Sequence, residues 1–305
     1  MRTTHDIIVV GGGVAGLTAA LHARLAGCSV ACFEGELHGG LVVNVGAVDG
    51  YPAVGPLSGV ALTQHLVEAG LEHGVEMRFE AVTEITAEGE SRVVTTDQGR
   101  YTAAQVILAT GGRLKQLGVD GETALTGRGV SQCAFCDAGF FRDRDVVVVG
   151  GGDAALQEAL HLAESCRTVT LVHRGNSLRA RRHYVARAAD HEAFRFRWES
   201  EVEAIAGAEA VEGVRLRSRA SGEVEELACD GVFVFVGVTP NSGPAPDGIE
   251  RDGEGAVLVD TGCKASLPGF LAIGAARAGY GGRLTQAVGD ATTAAETAAR
   301  RVLER

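Results

Sequence analysis

Residues 6–22 read DIIVVGGGVAGLTAALH, and residues 145–161 read DVVVVGGGDAALQEALH. At this offset of 139 residues, 11 of the 17 positions are identical. Each copy has a β-branched run, then glycines, then apolar residues at helical spacing, which is typical of a strand, a tight turn and a helix. The repeat therefore predicts two similar strand–helix units in an α/β protein.

The glycines of both copies match a dinucleotide-binding fingerprint. In that fingerprint the first glycine makes the turn, the second lets the backbone approach a pyrophosphate, and the third position packs the helix on the strand. The helix N-terminus then offers free N–H groups to the phosphates. One such match is weak evidence, since a bland glycine turn also explains it, but two in matching contexts predict two dinucleotide sites. The fingerprint positions are Gly11, Gly13 and Gly16 in the first copy and Gly150, Gly152 and Ala155 in the second.

The residue at the end of the next strand differs between the two predicted sites. In the first unit this residue is Glu34, whose carboxylate can accept hydrogen bonds from a ribose diol and repels a 2′-phosphate, which suits FAD or NAD. The same offset leads to His173 in the second unit, followed by Arg174. A cationic strand end favours a 2′-phosphate and so predicts NADPH, with NADH left open. Of the arginines that follow, Arg179 is expected to contact the nucleotide. Arg181 and Arg182 are expected to lie on a solvated basic face of a helix.

Composition excludes several other classes of protein. Glycine makes up 43 of 305 residues, against a usual share of about 7 %. The nucleotide turns, together with strand ends and loops expected to approach a cofactor or the hinge, account for most of the excess. The 46 % apolar content excludes a disordered chain. A net charge of −11 argues against nucleic-acid binding. No apolar run approaches the length of a membrane span, and seven scattered cysteines argue against a secreted disulfide framework, so a cytoplasmic protein is expected.

The pattern along the chain predicts one nucleotide domain inserted into another. The tail after residue 237 returns to a strand and a helix but is too small to fold alone. The predicted fold is α/β, with two Rossmann-like, three-layer dinucleotide-binding domains. Residues 1–113 and 238–305 form the FAD domain, and residues 114–237 form the NAD(P)H domain. Strands are predicted at Val93–Thr96, Tyr101–Thr102, Val106–Ala109, Val232–Val236 and Phe270–Ile273, with helices over 58–73 and from about 285.

Cys133 and Cys136 are the one C-x-x-C pair in the sequence. A structural zinc site would need about two more ligands with their own spacing, so no metal is predicted. Such a pair can instead alternate between dithiol and disulfide. Asp137 is adjacent and could transfer a proton, or could be a solvated turn carboxylate. The other cysteines are expected to be buried thiols. Two nucleotide sites and a dithiol predict a relay from NADPH through a flavin and the cysteines to an outside disulfide.

The sequence resembles the low-molecular-weight thioredoxin reductases over essentially its whole length, because it contains the motifs of that family in the same order. The resemblance implies a homodimeric FAD enzyme whose inserted NADPH domain rotates to offer the flavin alternately to NADPH and to the cysteines. It also implies that Cys136 faces the flavin, that Cys133 attacks the substrate disulfide, and that Asp137 is the acid/base. The matching motifs are Gly11–Gly16, Gly39-Gly40, Ala109-Thr110-Gly111, Cys133–Asp137, Gly150–Ala155, His173-Arg174 with Arg179, Gly237 before Pro240-Asn241, and Gln286-Ala287.

The resemblance and the fingerprints together give a set of expected cofactor contacts. For FAD these are Gly11, Gly13, Val14, Ala15, Gly16, Glu34, Gly40, Leu41, Asn44, Ala109, Thr110, Gly111, Gly274, Ala275, Gln286 and Ala287. For NADPH they are Gly150, Gly152, Asp153, Ala154, Ala155, His173, Arg174 and Arg179.

Three of the matched regions depart from the family pattern. Ala275 stands where the family usually has an aspartate that binds FAD, Leu41 where glutamine is usual, and Gly175 where a second arginine is usual. Asp290 and the Gly279–Gly282 loop are the candidates to compensate for the missing aspartate.

Three functions follow, in order of preference. The first is an NADPH-dependent reductase of thioredoxin or a thioredoxin-like disulfide. The second is a flavin-dependent dithiol oxidase of the same fold that passes electrons to oxygen without NADPH. The complete second fingerprint argues against it, whereas Ala275 and Gly175 keep it open. The third is a non-catalytic redox sensor, against which the complete Cys133/Cys136/Asp137 set argues.

Overall fold

The structure is a computed structural model that describes residues 3–52, 55 and 57–304. The chain divides into two compact units, Met1–Arg113 with Thr239–Arg305, and Leu114–Val238. Within the described residues the α-helices are α1 (Val14–Leu25), α2 (Gly59–Glu72), α3 (Ala134–Asp137), α4 (Asp153–Ala163), α5 (Arg182–Ala189) and α6 (Leu284–Leu303). Short 3-10 segments cover Gly40–Asn44, Ala138–Phe141 and Gly274–Ala276.

The described strands are numbered along the chain. They are β1 (Thr3–Val10), β2 (Val30–Glu34), β3 (Glu76–Phe79), β4 (Val82–Glu88), β5 (Ser91–Thr96), β6 (Arg100–Leu108), β7 (Gly112–Leu114), β8 (Val130–Ser131), β9 (Asp145–Gly150), β10 (Thr168–Val172), β11 (Phe194–Arg197), β12 (Ser200–Ala206), β13 (Gly213–Ser218), β14 (Val224–Ala228), β15 (Gly231–Phe235), β16 (Val238–Pro240) and β17 (Phe270–Ala272).

The first unit is built on one mixed sheet with the order β3-β2-β1-β6-β5-β4, and β17 pairs with the second half of β6. Strands β1, β2, β3, β6 and β17 run parallel, whereas β4 and β5 form an antiparallel extension. Because the parallel strands share one direction, their carboxyl ends meet at one edge of the sheet, where α/β proteins bind ligands.

Helices α1 and α6 cover one face of this sheet. Residues Ile7–Val10 of β1 are almost fully buried, as expected for a strand covered on both faces. Helix α6 contributes alanines at helical spacing, which form one apolar face packed against Leu17 and the alanines of α1. These small side chains allow close approach of the two helices. The alanines of α6 in this core cluster are Ala291, Ala294, Ala295, Ala298 and Ala299.

The second unit is a three-layer arrangement around a parallel sheet with the order β11-β10-β9-β15-β8. Helices α4 and α5 cover one face, with Leu156 and Tyr184 in the core between them and the sheet. The antiparallel sheet β12-β13-β14 covers the other face through Val214 and Leu216. Both faces of the parallel sheet are therefore buried, which explains its uninterrupted valine runs.

Most predicted elements lie within one or two residues of the observed ones, but the two strands predicted at Tyr101–Thr102 and Val106–Ala109 were wrong as separate elements. They are halves of one strand, β6, which pairs with β1 from Tyr101 to Leu108. The intervening alanines and Gln105 have no strong strand preference, so pairing with β1 decides their conformation.

Candidate active site

The glycine turn of the first unit begins where β1 ends. Gly11 has a φ of +107°, and a Cβ there would lie 2.3 Å from the carbonyl oxygen of Ala109. A Cβ on Gly16 would lie 1.8 Å from the carbonyl oxygen of Gly11. Both positions require glycine, because a side chain at Gly11 would clash with the backbone after β6 and one at Gly16 would push α1 away from the turn. The start of α1 at Val14 and Ala15 is thereby held directly over the turn.

A second glycine loop lies against this turn. The N–H of Gly39 donates to the carbonyl oxygen of Gly12 at 2.7 Å. The carboxylate of Glu34, at the end of β2, accepts the N–H of Gly12 at 2.7 Å and that of Glu36 at 2.9 Å. Glu34 is therefore fixed beside the glycine turn, as a ribose acceptor would need to be. Gly40, Leu41 and the half-buried Asn44 follow in the adjoining 3-10 segment.

Two polar atoms beside the first glycine turn lack partners, one in the segment after β6 and one in the loop after β2. Among the residues that the structure describes, Thr110 Oγ1 and His38 Nε2 are buried without a hydrogen bond. Leaving such a group unpaired costs about 1–3 kcal/mol, so a polar ligand that reached them would remove a real penalty. Asn241 fixes the segment by donating from Nδ2 to the Thr110 carbonyl at 3.3 Å and from its N–H to the Gly111 carbonyl at 3.0 Å.

A buried carboxylate lies beside Gly274 and Ala275, after β17. A Cβ on Gly274 would lie 3.2 Å from the Cβ of Ala15, so this segment contacts the first turn of α1. Asp290, only 9 % exposed, accepts the N–H of Gly274 at 3.2 Å and two bonds from Arg277, at 2.7 and 2.8 Å. The hydrogen bonds that Arg277 donates to Asp290 raise the pKa of Arg277 above its usual value. The carboxylate expected at position 275 is thus absent, but another reaches the same segment from α6.

The Gly279–Gly282 loop is held by the side chain of Gln286. Its Oε1 accepts the N–H of Gly281 at 2.7 Å, and its Nε2 donates to the carbonyl of Gly279 at 3.3 Å. Tyr280, in the same loop, donates its hydroxyl to the carbonyl of Arg283 at 3.1 Å, and burial followed by the charge of Asp290 raises its pKa to about 12. The adjacent Ala287 is buried at the start of α6.

The expected FAD contacts of the first unit therefore follow the carboxyl ends of β1, β2, β6 and β17, except Gln286 and Ala287, which lie at the start of α6. Within the described chain, no side chain caps α1 and no acidic residue lies in its first turn. The free N–H groups at this helix start suit a pyrophosphate. These donors, the Glu34 carboxylate as an acceptor and the unpaired Thr110 hydroxyl fit the polar groups of FAD.

The second unit repeats the glycine turn at the end of β9. Gly150 has a φ of +157°, and a Cβ there would lie 2.5 Å from the carbonyl oxygen of Phe235 and 2.6 Å from the Cβ of Ala155. The ring of His173 covers Gly151, where a Cβ would lie 2.3 Å from its Nδ1. Gly152 has open space around it and begins α4 with no side-chain cap from the described residues. This open helix start fits a second pyrophosphate.

The arginines near this turn differ in environment. Arg174 and Arg179 are exposed, and the N–H of Arg179 donates to the carbonyl of Gly151 at 2.9 Å. The prediction of a solvated face was wrong for Arg181, whose N–H and Nε donate to the carboxylate of Asp153 at 2.7 and 2.9 Å. Asp153 lies in the first turn of α4, where the helix dipole favours an acid. Arg181 reaches it because α5 packs beside α4. Asp153, expected to contact the nucleotide, is therefore engaged by Arg181, while the adjacent Ala154 is exposed.

Cys133 and Cys136 are joined by a disulfide at the start of α3. The sulfur of Cys133 accepts the N–H of Cys136 at 3.1 Å. Cys136 is exposed, Cys133 and Asp137 are half-buried, and the N–H of Asp137 donates to the carbonyl of Cys133 at 3.2 Å. Asp137 is thus held on the same helical turn as the two cysteine sulfurs.

The other five cysteines are buried. Cys28, Cys32, Cys166, Cys229 and Cys263 are free and buried, as predicted. Burial raises the pKa of Cys32 and Cys229 to about 12 and that of Cys166 and Cys263 to about 11. A thiol that stays protonated is a poor nucleophile, so exchange chemistry is confined to the C-x-x-C pair. In the described part of the chain, no cluster of His, Cys, Asp and Glu has the arrangement of a metal site.

One residue at the redox helix was missed from the sequence. The Oε2 atom of Glu158, on α4, accepts the N–H of Ala134 at 2.9 Å, and its carboxylate also holds the N–H of Phe135. A signal was available in the internal repeat, because Glu158 corresponds to Ala19, which is fully buried in the first copy. A carboxylate in place of a core alanine indicates a polar partner that the first unit lacks.

Two glycine turns of the dinucleotide-binding type and one accessible disulfide define a class of protein, the nucleotide-dependent disulfide oxidoreductases. No helix among the described residues combines the length and apolar character that crossing a bilayer requires.

Comparisons with known proteins identify the family. A family model described as pyridine nucleotide-disulphide oxidoreductase matches residues 5–298. The chain is 38 % identical over 300 residues to a thioredoxin reductase of Treponema pallidum, covering 98 % of this chain and 97 % of the relative. It is 40 % identical over 275 residues to one of Mycolicibacterium smegmatis, covering 90 % and 88 %. The crystal structure of Lactococcus lactis thioredoxin reductase matches with a TM-score of 0.96 and 32 % identity, covering 99 % and 100 %.

The chain belongs to the low-molecular-weight thioredoxin reductases, within the pyridine nucleotide-disulphide oxidoreductase family. The predicted α/β fold with Rossmann-like domains is confirmed. Family membership also makes the protein an oxidoreductase that uses FAD and NADPH, as predicted. The oxidase and sensor alternatives are not favoured.

Proposed function

We propose that this protein transfers electrons from NADPH, through FAD and the Cys133/Cys136 pair, to the disulfide of thioredoxin or a thioredoxin-like protein. The observation that carries this proposal is the disulfide at the start of α3, the accessible sulfur pair in a chain whose other thiols are buried. Relatives named thioredoxin reductase over nearly the full chain support the substrate. The proposal includes the homodimer and the cytoplasmic setting expected from the family resemblance.

The cofactor sites follow from the two glycine turns. In the first unit, the N–H groups at the start of α1 would hold the FAD pyrophosphate and Glu34 the ribose diol. In the second, the start of α4 would hold the NADPH pyrophosphate, with Arg174 and Arg179 at the 2′-phosphate. When bound, the two cofactors supply the two-electron transfer from NADPH to the disulfide.

The cysteines perform the exchange with the substrate. Reduction of the Cys133–Cys136 disulfide takes up two electrons and two protons and leaves two thiols. The thiolate of Cys133 attacks the substrate disulfide, so one mixed disulfide forms and one substrate sulfur leaves and takes a proton. Cys136 then attacks the Cys133 sulfur, which restores the disulfide and releases the substrate as a dithiol. Asp137, on the same helical turn, would carry the protons of these steps.

Anaerobic titration of the purified yellow protein with NADPH and with NADH tests the proposal. Bleaching of the flavin by NADPH, followed by NADPH-dependent reduction of thioredoxin, is the expected result. Bleaching by a small dithiol but by neither nucleotide would contradict it and indicate a dithiol oxidase. Failure to bind FAD at all would contradict the cofactor assignment of the first unit.

The substitution Cys136→Ser tests the role of the pair. Flavin reduction by NADPH should remain, whereas thioredoxin turnover should be lost, because the mixed disulfide can no longer be resolved. Cys166→Ser, at a free and buried cysteine of the same unit, is the matched control and should retain turnover. Thioredoxin turnover by the Cys136→Ser enzyme at the wild-type rate would refute the assignment.

A further inference from the structure

The first turn of α3 shares its backbone N–H groups between two acceptors. Glu158 holds those of Ala134 and Phe135, with 2.9 Å between Ala134 N and Oε2. The sulfur of Cys133 holds that of Cys136 at 3.1 Å. Free N–H groups at a helix start are among the features that stabilise a cysteine thiolate. Glu158 therefore occupies two donors that would otherwise contribute to stabilising a thiolate at Cys133.

The charge of Glu158 acts in the same direction as its hydrogen bonds. Burial of this half-buried side chain raises its pKa, a shift that the N–H groups of Ala134 and Phe135 oppose. Asp137 lies on α3 itself, and His161 lies on α4, where its charge acts on Glu158 and its ring centroid is 6.0 Å from that of Phe135. Two of the three groups are acids, so an anionic sulfur in this region is opposed by its neighbours.

We propose that Glu158 is a positioning residue that ties the redox helix to α4 and restrains thiolate formation at Cys133. A dithiol whose reduced form is strongly stabilised becomes an oxidant, so withholding that stabilisation keeps the pair suited to donating electrons. Helix α4 begins at the glycine turn of the second unit, so one helix carries both the nucleotide turn and the acceptor for the redox helix. The inference rests on the proposed function for the role of Cys133 and Cys136.

The rate of alkylation at Cys133 measures this restraint without turnover. In this reaction the thiolate displaces iodide from iodoacetamide and forms a thioether. The holoenzyme carrying Cys136→Ser leaves Cys133 as the one accessible thiol, since the five remaining cysteines are buried. Rates are measured across pH, with mass spectrometry of the Cys133 peptide.

Three variants in this background separate charge from packing. Glu158→Gln keeps an oxygen for the N–H of Ala134 but removes the charge. It should move the midpoint of the pH–rate profile down by about one unit, because one nearby charge shifts a pKa by about that much. Below that midpoint the rate should rise about threefold, since the thiolate fraction rises tenfold while its nucleophilicity falls about threefold. Glu158→Asp keeps the charge and should leave the midpoint where the background enzyme has it. Glu209→Gln, at an exposed loop acid of the same unit, is the control for loss of one negative charge and should not change the rate.

Equal rates for Glu158→Gln and the background enzyme would overturn the inference. So would an equal increase in Glu158→Gln and Glu158→Asp, because packing rather than charge would then be responsible. A second measurement uses the enzyme with both cysteines, equilibrated with glutathione above the thiol pKa. There Glu158→Gln should shift the pair toward the dithiol about tenfold, or about 30 mV. Neither measurement uses thioredoxin, so failure here is distinguishable from failure of the proposed function.

Discussion

Removal of the Asp290 carboxylate should destabilise the first unit strongly. Asp290 accepts bonds from the N–H of Gly274 and from Nε and Nη2 of Arg277, and the two side chains of the pair are only 10 % and 16 % exposed. Removing one partner of a buried ion pair costs about 3–5 kcal/mol. Arg277 retains some access to water, so we expect about 3 kcal/mol for Asp290→Ala.

Hydrogen exchange with mass spectrometry measures this loss in each unit separately. The FAD-free protein is used, because bound FAD would add its own stabilisation. A loss of about 3 kcal/mol corresponds to exchange about 100-fold faster in the most protected amides of β1 and β6. Peptides of β9 in the second unit should not change.

Glu88→Ala is the matched control for the Asp290 variant. Glu88 pairs with Arg100 at 2.7 Å in the same unit, but the two side chains are 44 % and 49 % exposed. An exposed pair contributes about 0–1 kcal/mol, so exchange should accelerate by less than about fivefold. If the amides of β1 and β6 are equally protected in Asp290→Ala and Glu88→Ala, the reasoning is refuted, because burial would then not make the Asp290–Arg277 pair stabilising.

Two further predictions concern the second unit. Arg174→Ala should reduce the preference for NADPH over NADH about tenfold, measured as the ratio of the two kcat/KM values, because a charge-assisted bond to a 2′-phosphate contributes about 1.5–3 kcal/mol. Arg182→Ala, at an exposed arginine of α5, should leave the ratio unchanged, and an unchanged ratio in Arg174→Ala would contradict the assignment. Hydrogen bonds from Arg167 and then Thr168 hold the pKa of Asp145 below its ordinary value of 3.8, so this carboxylate stabilises the folded chain above that value and loses its contribution as the pH falls through the lower, folded pKa. Protection of β9 should therefore decline in acid more steeply in wild type than in Asp145→Asn, and parallel declines would show that Asp145 is not responsible.

Much of the first unit's candidate site could be read from the sequence, because its residues follow strands in a regular way. The turns at Gly11 and Gly150 occur where a β-branched run meets a helical pattern. Carboxyl ends of parallel strands share one edge, so placing Glu34 and Thr110 beside the turn at Gly11 needed only the strand order. The continuous β6 and the pairing of Arg181 with Asp153 could not be read this way, because neighbours distant in the sequence decide both.

The sequence by itself determined the strand–turn–helix units, the glycine turns and the redox pair, because each depends on residues a few positions apart. Side-chain periodicity, a positive φ and the C-x-x-C spacing are local properties of a chain. Only the tertiary structure decided which backbone N–H groups and side chains the carboxylates of these regions bind. Glu158 reaches Ala134 across 24 residues, Asp290 reaches Gly274 across 16, and Asp153 reaches Arg181 across 28. The identity of an acid does not specify its partner, because hydrogen bonds between distant residues form only after the sheet has brought the helices together.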